Sequence, residues 1–282
     1  MTDSPSASSL SPADLDALLA SAAYAAREAG TLVQNAQGSD LGVEYKEQGK
    51  NNLVTVMDRE SENLIQAILR ERHPDVQFLA EEGGGNTDLS RPTWVVDPID
   101  GTVNYAHGIP LYSVSIAAVA DGRPVAGAVF NPNTEEMFTA AAGRGAFLNG
   151  RRLQVSGNND LEHAMLVTGF PYNVGENPFH CIDAFVEFVT MGIPVRRLGS
   201  AALDLAYLAA GRFDAYWEVS LGPWDVAAGA LLVTEAGGMV GTYSPVPNPS
   251  LIVTDRLLAS NGRIHEAMRE RLLKIAEGAG GR

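Results

Sequence analysis

WVVDPIDGTVN, residues 94–104, joins an apolar strand to a turn crowded with carboxylates and glycine. Trp94, Val95 and Val96 read as a buried strand that ends on Asp97, and Pro98 then turns the chain. Asp100 follows three residues after Asp97, so one tight turn can aim both carboxylates at a single point. Two acids so placed repel each other unless a cation lies between them. Gly101 permits close backbone approach, and the amides of Gly101 and Thr102 can face an anion, as exposed N–H groups at a helix start do. The string therefore combines metal ligands with an oxyanion cradle.

Outward from this turn, strands and helices sort into two architectures. Upstream, Ser11 reads as an N-cap with Pro12 and Asp14 behind it, opening a helix from Pro12 to Ala29 that Gly30 stops. A second helix spans 59–72, with Leu64, Ile65, Ile68 and Leu69 on one stripe, and Pro74 ends it. Strands follow at 76–80, 93–97, 113–120 and 124–130, the last two joined by an Asp121-Gly122 hairpin turn. From about residue 160 the order alternates: strands at AMLVTG, IPVRRL and FDAYWE are separated by helices over 178–190 and 200–210, and a helix over 224–236 closes at Gly237-Gly238. The expected division is an α+β half over 11–150, with an antiparallel sheet and the metal-binding turn, and an α/β half over 151–276 that completes the site.

Three further acidic places bear on the chemistry. Glu81-Glu82 follow the strand VQFLA and precede Gly83-Gly84-Gly85; alone, they also fit a solvated strand edge. Asp225 lies in the first turn of a helix, where a carboxylate also serves the helix dipole. Asp58 ends NNLVTVMD and also fits a helix cap. As a set they are hard oxygen donors suited to Mg²⁺. The five histidines show no metal-pair spacing, which disfavours zinc, and no P-loop, dinucleotide fingerprint or nucleophile elbow is present. Carboxylates plus a phosphate cradle, without a nucleotide loop, point to hydrolysis of a phosphate ester by metal-activated water. The net charge of −14 disfavours a nucleic-acid or anionic-membrane surface. A single cysteine, Cys181, and the lack of a targeting segment or membrane-length apolar run make a cytoplasmic location the expectation.

WVVDPIDGTVN and WDVAAGALLVTEAGG (224–238), in this order, resemble the two signature motifs of the inositol monophosphatase family, with similarity over roughly residues 11–275. KEQGKNNLVTVMD resembles the bacterial branch. The resemblance implies a layered α-β-α-β-α fold, Mg²⁺ dependence, lithium sensitivity and a homodimer. It implies that Glu81, Asp97 and the Ile99 carbonyl hold one Mg²⁺ and that Asp97, Asp100 and Asp225 hold a second. A weaker third would be reached by Glu81 through water. Gly101 and Thr102 would bind the substrate phosphate. Thr102, linked to Asp58, would act with Glu81 on the attacking water, and Glu82 and Lys46 would sit close by. Gly199, Ser200, Ala201 and Glu218 would line the pocket for the alcohol; Glu218 also fits an exposed acid at a strand end. Within the family the implied substrate is inositol monophosphate or a similar polyol phosphate. Histidinol phosphate, fructose 1,6-bisphosphate and 3′-phosphoadenosine compounds are alternatives. Some bacterial relatives act instead as partners of the transcription machinery, a role in which Arg196 and Arg197 could form a protein-contact surface.

Overall fold

The computed structural model describes residues 10–38, 42–45, 53–246, 248 and 250–278. Its first helix, α1 (Pro12–Ala36), opens with the expected capping box: the Asp14 amide donates to the Ser11 hydroxyl at 3.2 Å, and the Ser11 amide donates to the Asp14 carboxylate at 2.8 Å. Gly30 does not stop it. A Cβ there would lie 2.6 Å from Phe130 Cδ1, so glycine serves close packing of α1 on a strand and the helix runs on to Ala36.

A two-stranded pair, β1 (Glu44–Tyr45) and β2 (Leu53–Val54), precedes α2 (Val56–Arg72). This helix begins three residues earlier than its apolar stripe suggests, because Thr55 is the N-cap and Asp58 the third helical residue of a capping box. An eight-stranded sheet follows, built from β3 (Gln77–Ala80), β4 (Gly84–Gly85), β5 (Thr93–Asp100), β6 (Ser113–Ala120), β7 (Arg123–Asn131), β8 (Glu136–Ala141), β9 (Gly145–Leu148) and β10 (Arg151–Arg152). Its order is β10-β9-β8-β7-β6-β5-β3-β4, and only the β3–β5 pair is parallel. A single turn of helix, α3 (Thr102–Ala106), leaves the end of β5.

The second sheet holds β11 (Leu166–Thr168), β12 (Val195–Arg196), β13 (Ala215–Val219), β14 (Met239–Thr242) and β15 (Arg256–Ser260), in the order β12-β11-β13-β15-β14. β11 is parallel to both its neighbours, whereas β15 is antiparallel to β13 and β14. The remaining helices are α4 (Cys181–Thr190), α5 (Ala201–Ala209), α6 (Pro223–Glu235) and α7 (His265–Ala276). The helix expected over 178–190 is broken: Phe179 and His180 have positive φ, leaving a short 3₁₀ turn before α4. Cys181 is buried and unbridged at its start.

Alternate side chains along the strands of the first sheet explain the layering. Trp94, Val96 and Ile116 pack against Ala22, Ala25 and Ala29 of α1 and Ile65 of α2. Val95, Ala117 and Val129 face the other way, onto Leu205 and Leu208 of α5 and Val226 and Leu231 of α6. The far side of those helices meets Tyr216 and Leu257 of the second sheet. Its outer face carries Trp217 and Leu258 against Phe188 of α4 and Leu272 of α7. Every residue of β6 is buried, as a strand covered on both faces requires. The product is a mixed layered fold, α-β-α-β-α, with α5 and α6 sealed between two sheets.

Candidate active site

Strand β5 runs three residues farther than the apolar pattern indicates, to Asp100, and its register against β6 shifts between Asp97 and Asp100. Three steps along a regular strand would send the two carboxylates to opposite faces. The bulge corrects this, and Pro98 suits it because proline has no N–H for a strand ladder. Ligand oxygens of Asp97, Asp100 and Asp225 consequently lie within 4.8 Å of one another. Among the described residues this is the one group of three or more metal-competent side chains.

Each acid is fixed by a different element. The Asp97 carboxylate accepts from the Ile99 amide at 3.0 Å. Asp100 sits against the start of α5, accepting from the Ala201 amide at 3.1 Å, the Ala202 amide at 2.8 Å and the Ser200 hydroxyl. Asp225, in the first turn of α6, accepts from the Gly222 amide at 2.6 Å. That turn is tied to the sheet by the Ser115 hydroxyl, which donates to the Trp224 carbonyl at 3.2 Å.

Burial pushes all three carboxyls above the ordinary range. For Asp97 the charges of Glu81, Asp100 and Asp225 add to the rise. For Asp100 the hydrogen bonds from α5 oppose it. A divalent ion would relieve this repulsion directly, and an all-oxygen donor set fits a hard cation.

The cluster forms one wall of a cavity of about 590 Å³. Glu81, Ile99, Gly101 and Thr102 line it beside the three aspartates. Gly199, Ser200, Ala201 and Glu218 line it too, Ser200 and Ala201 in direct contact with Asp100. Gly101 has φ 95°, and a Cβ there would meet the Gly199 and Leu111 carbonyls at 3.1 Å each, so both its conformation and its surroundings call for glycine. Asp58 lies behind the cavity, fully buried. One of its oxygens accepts from the Thr102 hydroxyl at 3.1 Å and the other from the Thr55 amide at 2.7 Å, so capping α2 and holding Thr102 are a single arrangement. Glu82 is not among the lining residues; its charge adds to the raised carboxyl of Asp58, after burial as the main cause. Lys46 lies outside the described residues.

Sequence reasoning missed Asp204 and Gly169, and it gave Arg197 no place in the site. Asp204 in α5 is 1 % exposed, lines the cavity, and has an oxygen without a hydrogen-bond partner among the described residues. Burial, then Glu218 and Asp100, holds its carboxyl well above the usual range. Glu218 is pushed up to about 7, chiefly by burial, and accepts from the Tyr216 hydroxyl at 2.5 Å. Gly169 makes room for it: a Cβ at 169 would meet both Glu218 carboxylate oxygens within 2.2 Å. Arg197 lines the same wall, whereas Arg196 is exposed outside it. Nothing in the local sequence marks Asp204 or Gly169, because Glu218, the neighbour of each, lies farther along the chain.

A second cavity, also of about 590 Å³, lies beside α1 and is lined largely by Leu18, Val76, Ala118, Val119 and Val125. It has no convergent group of carboxylates.

The sequence model of the inositol monophosphatase family matches residues 14–279. The Nus factor SuhB of Pseudomonas aeruginosa is 46 % identical over 226 residues, covering 78 % of this chain and 83 % of that protein. Inositol-1-monophosphatase of Synechocystis sp. is 40 % identical over 263 residues, covering 93 % and 91 %. Among solved structures, the extragenic suppressor protein suhB of Bartonella henselae superimposes with a TM-score of 0.83 at 38 % identity, covering 92 % of this chain and 99 % of that one. With the signature turn, the fold and nearly the full length in agreement, the chain belongs to the inositol monophosphatase family.

Proposed function

We propose that this protein is a Mg²⁺-dependent phosphomonoesterase that hydrolyses inositol monophosphate or a similar small polyol phosphate. The observation that carries this reading is the convergence of Asp97, Asp100 and Asp225 within 4.8 Å, on the same cavity wall as the Gly101-Thr102 turn. A bound divalent ion supplies Lewis-acid polarisation of the phosphate and a lowered pKa for ligated water. Asp97, Asp100 and Asp225, with Glu81 and the Ile99 carbonyl, are the groups that would hold it.

The chain's own residues do the rest. The amides of Gly101 and Thr102 bind phosphate oxygens. The Thr102 hydroxyl has one proton and two acceptors, Asp58 at 3.1 Å and the Ile99 carbonyl at 3.0 Å. With the proton turned to Asp58, the Thr102 oxygen accepts a hydrogen bond from the attacking water, and Glu81 takes the proton that water loses. Glu218, half-buried and steadied by Tyr216, accepts from a hydroxyl of the alcohol, while Asp204 and Arg197 complete a polar wall suited to a polyol. Lithium inhibition belongs to the same reading.

The test is phosphate release with Mg²⁺ from myo-inositol 1-phosphate, fructose 1,6-bisphosphate, histidinol phosphate and 3′-phosphoadenosine 5′-phosphate, each with and without EDTA. The expected result is EDTA-sensitive release, fastest from the inositol ester. Release that ignores EDTA, or none from any ester, would contradict the reading.

The likeness to a Nus factor favours a second role, as a protein partner in transcription. Pull-down of transcription proteins by an Asp97→Asn variant would separate that role from catalysis. The family reading also makes the protein a homodimer. The apolar stripe Ile182, Val186 and Val189 on α4, each 38–46 % exposed, is a surface a second copy could cover, and light scattering gives the mass that decides it.

A further inference from the structure

Helix α2 presents an unusual face to the site. Asp58, Ser61, Glu62 and Ile65 follow the i, i+3, i+4, i+7 spacing of one helical stripe, and all four are buried. Ile65 joins the apolar core beneath the first sheet. The three polar members each reach a different segment of the catalytic wall. Asp58 accepts from Thr102 at 3.1 Å. The Ser61 hydroxyl donates at 3.0 Å to the carbonyl of Pro98, between Asp97 and Ile99. Glu62 uses both carboxylate oxygens, accepting from the Glu82 amide at 3.0 Å and the Gly83 amide at 2.8 Å.

The last contact fixes the acidic loop. The Glu81 amide donates to the carbonyl of Val96, next to Asp97, at 3.3 Å, and the two following amides are taken by Glu62. Three consecutive N–H groups are thus pinned, one by β5 and two by α2. Glu62 is 9 % exposed, so its bonds to these amides are charge-assisted and largely shielded from water. Gly83 is matched to it: a Cβ at 83 would lie 2.4 Å from a Glu62 carboxylate oxygen, the movable end of that side chain.

We propose that Glu62 is a positioning residue that sets the Glu81-Glu82 loop against the aspartate cluster and thereby sets the affinity of the site for divalent metal. This rests on the metal-dependent reading given above. Glu62 touches neither substrate nor metal and acts through the backbone that bears Glu81. Hydrogen-bond partners that orient metal-holding residues typically change affinity about 10–100-fold when removed.

The test is direct binding of Mn²⁺ to the full chain, followed by electron paramagnetic resonance of the free ion, for wild type, Glu62→Gln, Gly83→Ala and the double variant. Glu60→Gln, on the exposed side of α2, is the control. Unfolding in EDTA is recorded alongside. The expected result is about a tenfold or greater rise in Kd for each single variant and none for the control. The double variant should be little worse than either single, since both disturb one contact. A purely structural role would lower the EDTA unfolding midpoint and leave Kd unchanged. Wild-type binding that both variants match within about twofold overturns the inference alone. Wild-type protein that binds no Mn²⁺ overturns the metal-dependent reading with it.

Discussion

Among the described residues, Asp100 accepts more hydrogen bonds than Asp97 or Asp225. It belongs to the aspartate cluster, and it also receives the first amides of α5, so it joins the turn at the end of β5 to that helix. Asp100→Asn keeps the shape but removes a charge from the cluster. It should cut turnover at least ~100-fold, the scale of losing a key electrostatic stabiliser. Steady-state phosphate release checks this, and near-normal turnover would refute the assignment. Glu218 gives a pH prediction. Its carboxyl is raised to about 7 by burial, with the Asp100 charge adding and Tyr216 and Arg197 opposing. Below that value it is neutral, and a carboxylic acid is a weaker acceptor for a hydroxyl than the carboxylate is. KM for a polyol phosphate should therefore fall as pH rises through about 7, and Glu218→Gln should flatten that inflection while kcat changes less.

Within single elements, local chemistry was legible and long-range packing was not. The strand leading to Asp97, the turn at Asp100-Gly101 and the helix carrying Asp225 all stand in the sequence, because residue type and spacing suffice to describe them. Thr102 and Asp58 stand out singly in the sequence, but their pairing across 44 residues, and Glu218 in the pocket, came only from the family resemblance. Glu62, Asp204 and Gly169 escaped even that. Glu62 reads as one more acid on an amphipathic helix until the amides of Glu82 and Gly83, twenty residues away, are seen to point at it. The strands from β8 to β10, the β14–β15 pair and α7 were also not assigned, their segments being short or flanked by loops. Gly30 shows the same limit in the opposite sense: its helix-stopping propensity is overridden by the need to approach Phe130. Gly30→Ala should therefore destabilise despite its better helix propensity, by about 1–3 kcal/mol for overpacking. Chemical denaturation measures this, and turnover of the folded fraction should be unaltered, since α1 lies on the side of the sheet away from the cavity.

For the molecule as a whole, a metal ion held by the aspartate cluster would bear on stability as well as on catalysis. Asp97, Asp100, Asp204 and Asp225 are buried with raised carboxyls, and Glu218 is raised to about 7. These groups consequently hold more protons in the metal-free folded state than in the unfolded chain. Their contribution to stability is greatest at or below the ordinary carboxylate range and declines as pH rises, that of Glu218 ending at about 7. Metal acts in the other direction, because its ligands must be deprotonated, so the stabilisation by Mg²⁺ should grow with pH. At a hundredfold excess over Kd it amounts to about 2.7 kcal/mol. Thermal unfolding at mildly acidic and mildly alkaline pH, in EDTA and in Mg²⁺, should show a lower Tm in EDTA at the higher pH and a larger Mg²⁺ increment there. An increment independent of pH would argue against the buried aspartates as the ligands.

The most direct measurement is phosphate release from myo-inositol 1-phosphate by wild type and Asp97→Asn across a Mg²⁺ titration, with Mn²⁺ binding recorded on the same preparations. The account predicts saturable, Mg²⁺-dependent release by the wild type, and loss of both tight metal binding and turnover in the folded variant. Undiminished metal-dependent hydrolysis by Asp97→Asn would contradict it, because the chemistry would then lie away from the bulged turn at the end of β5.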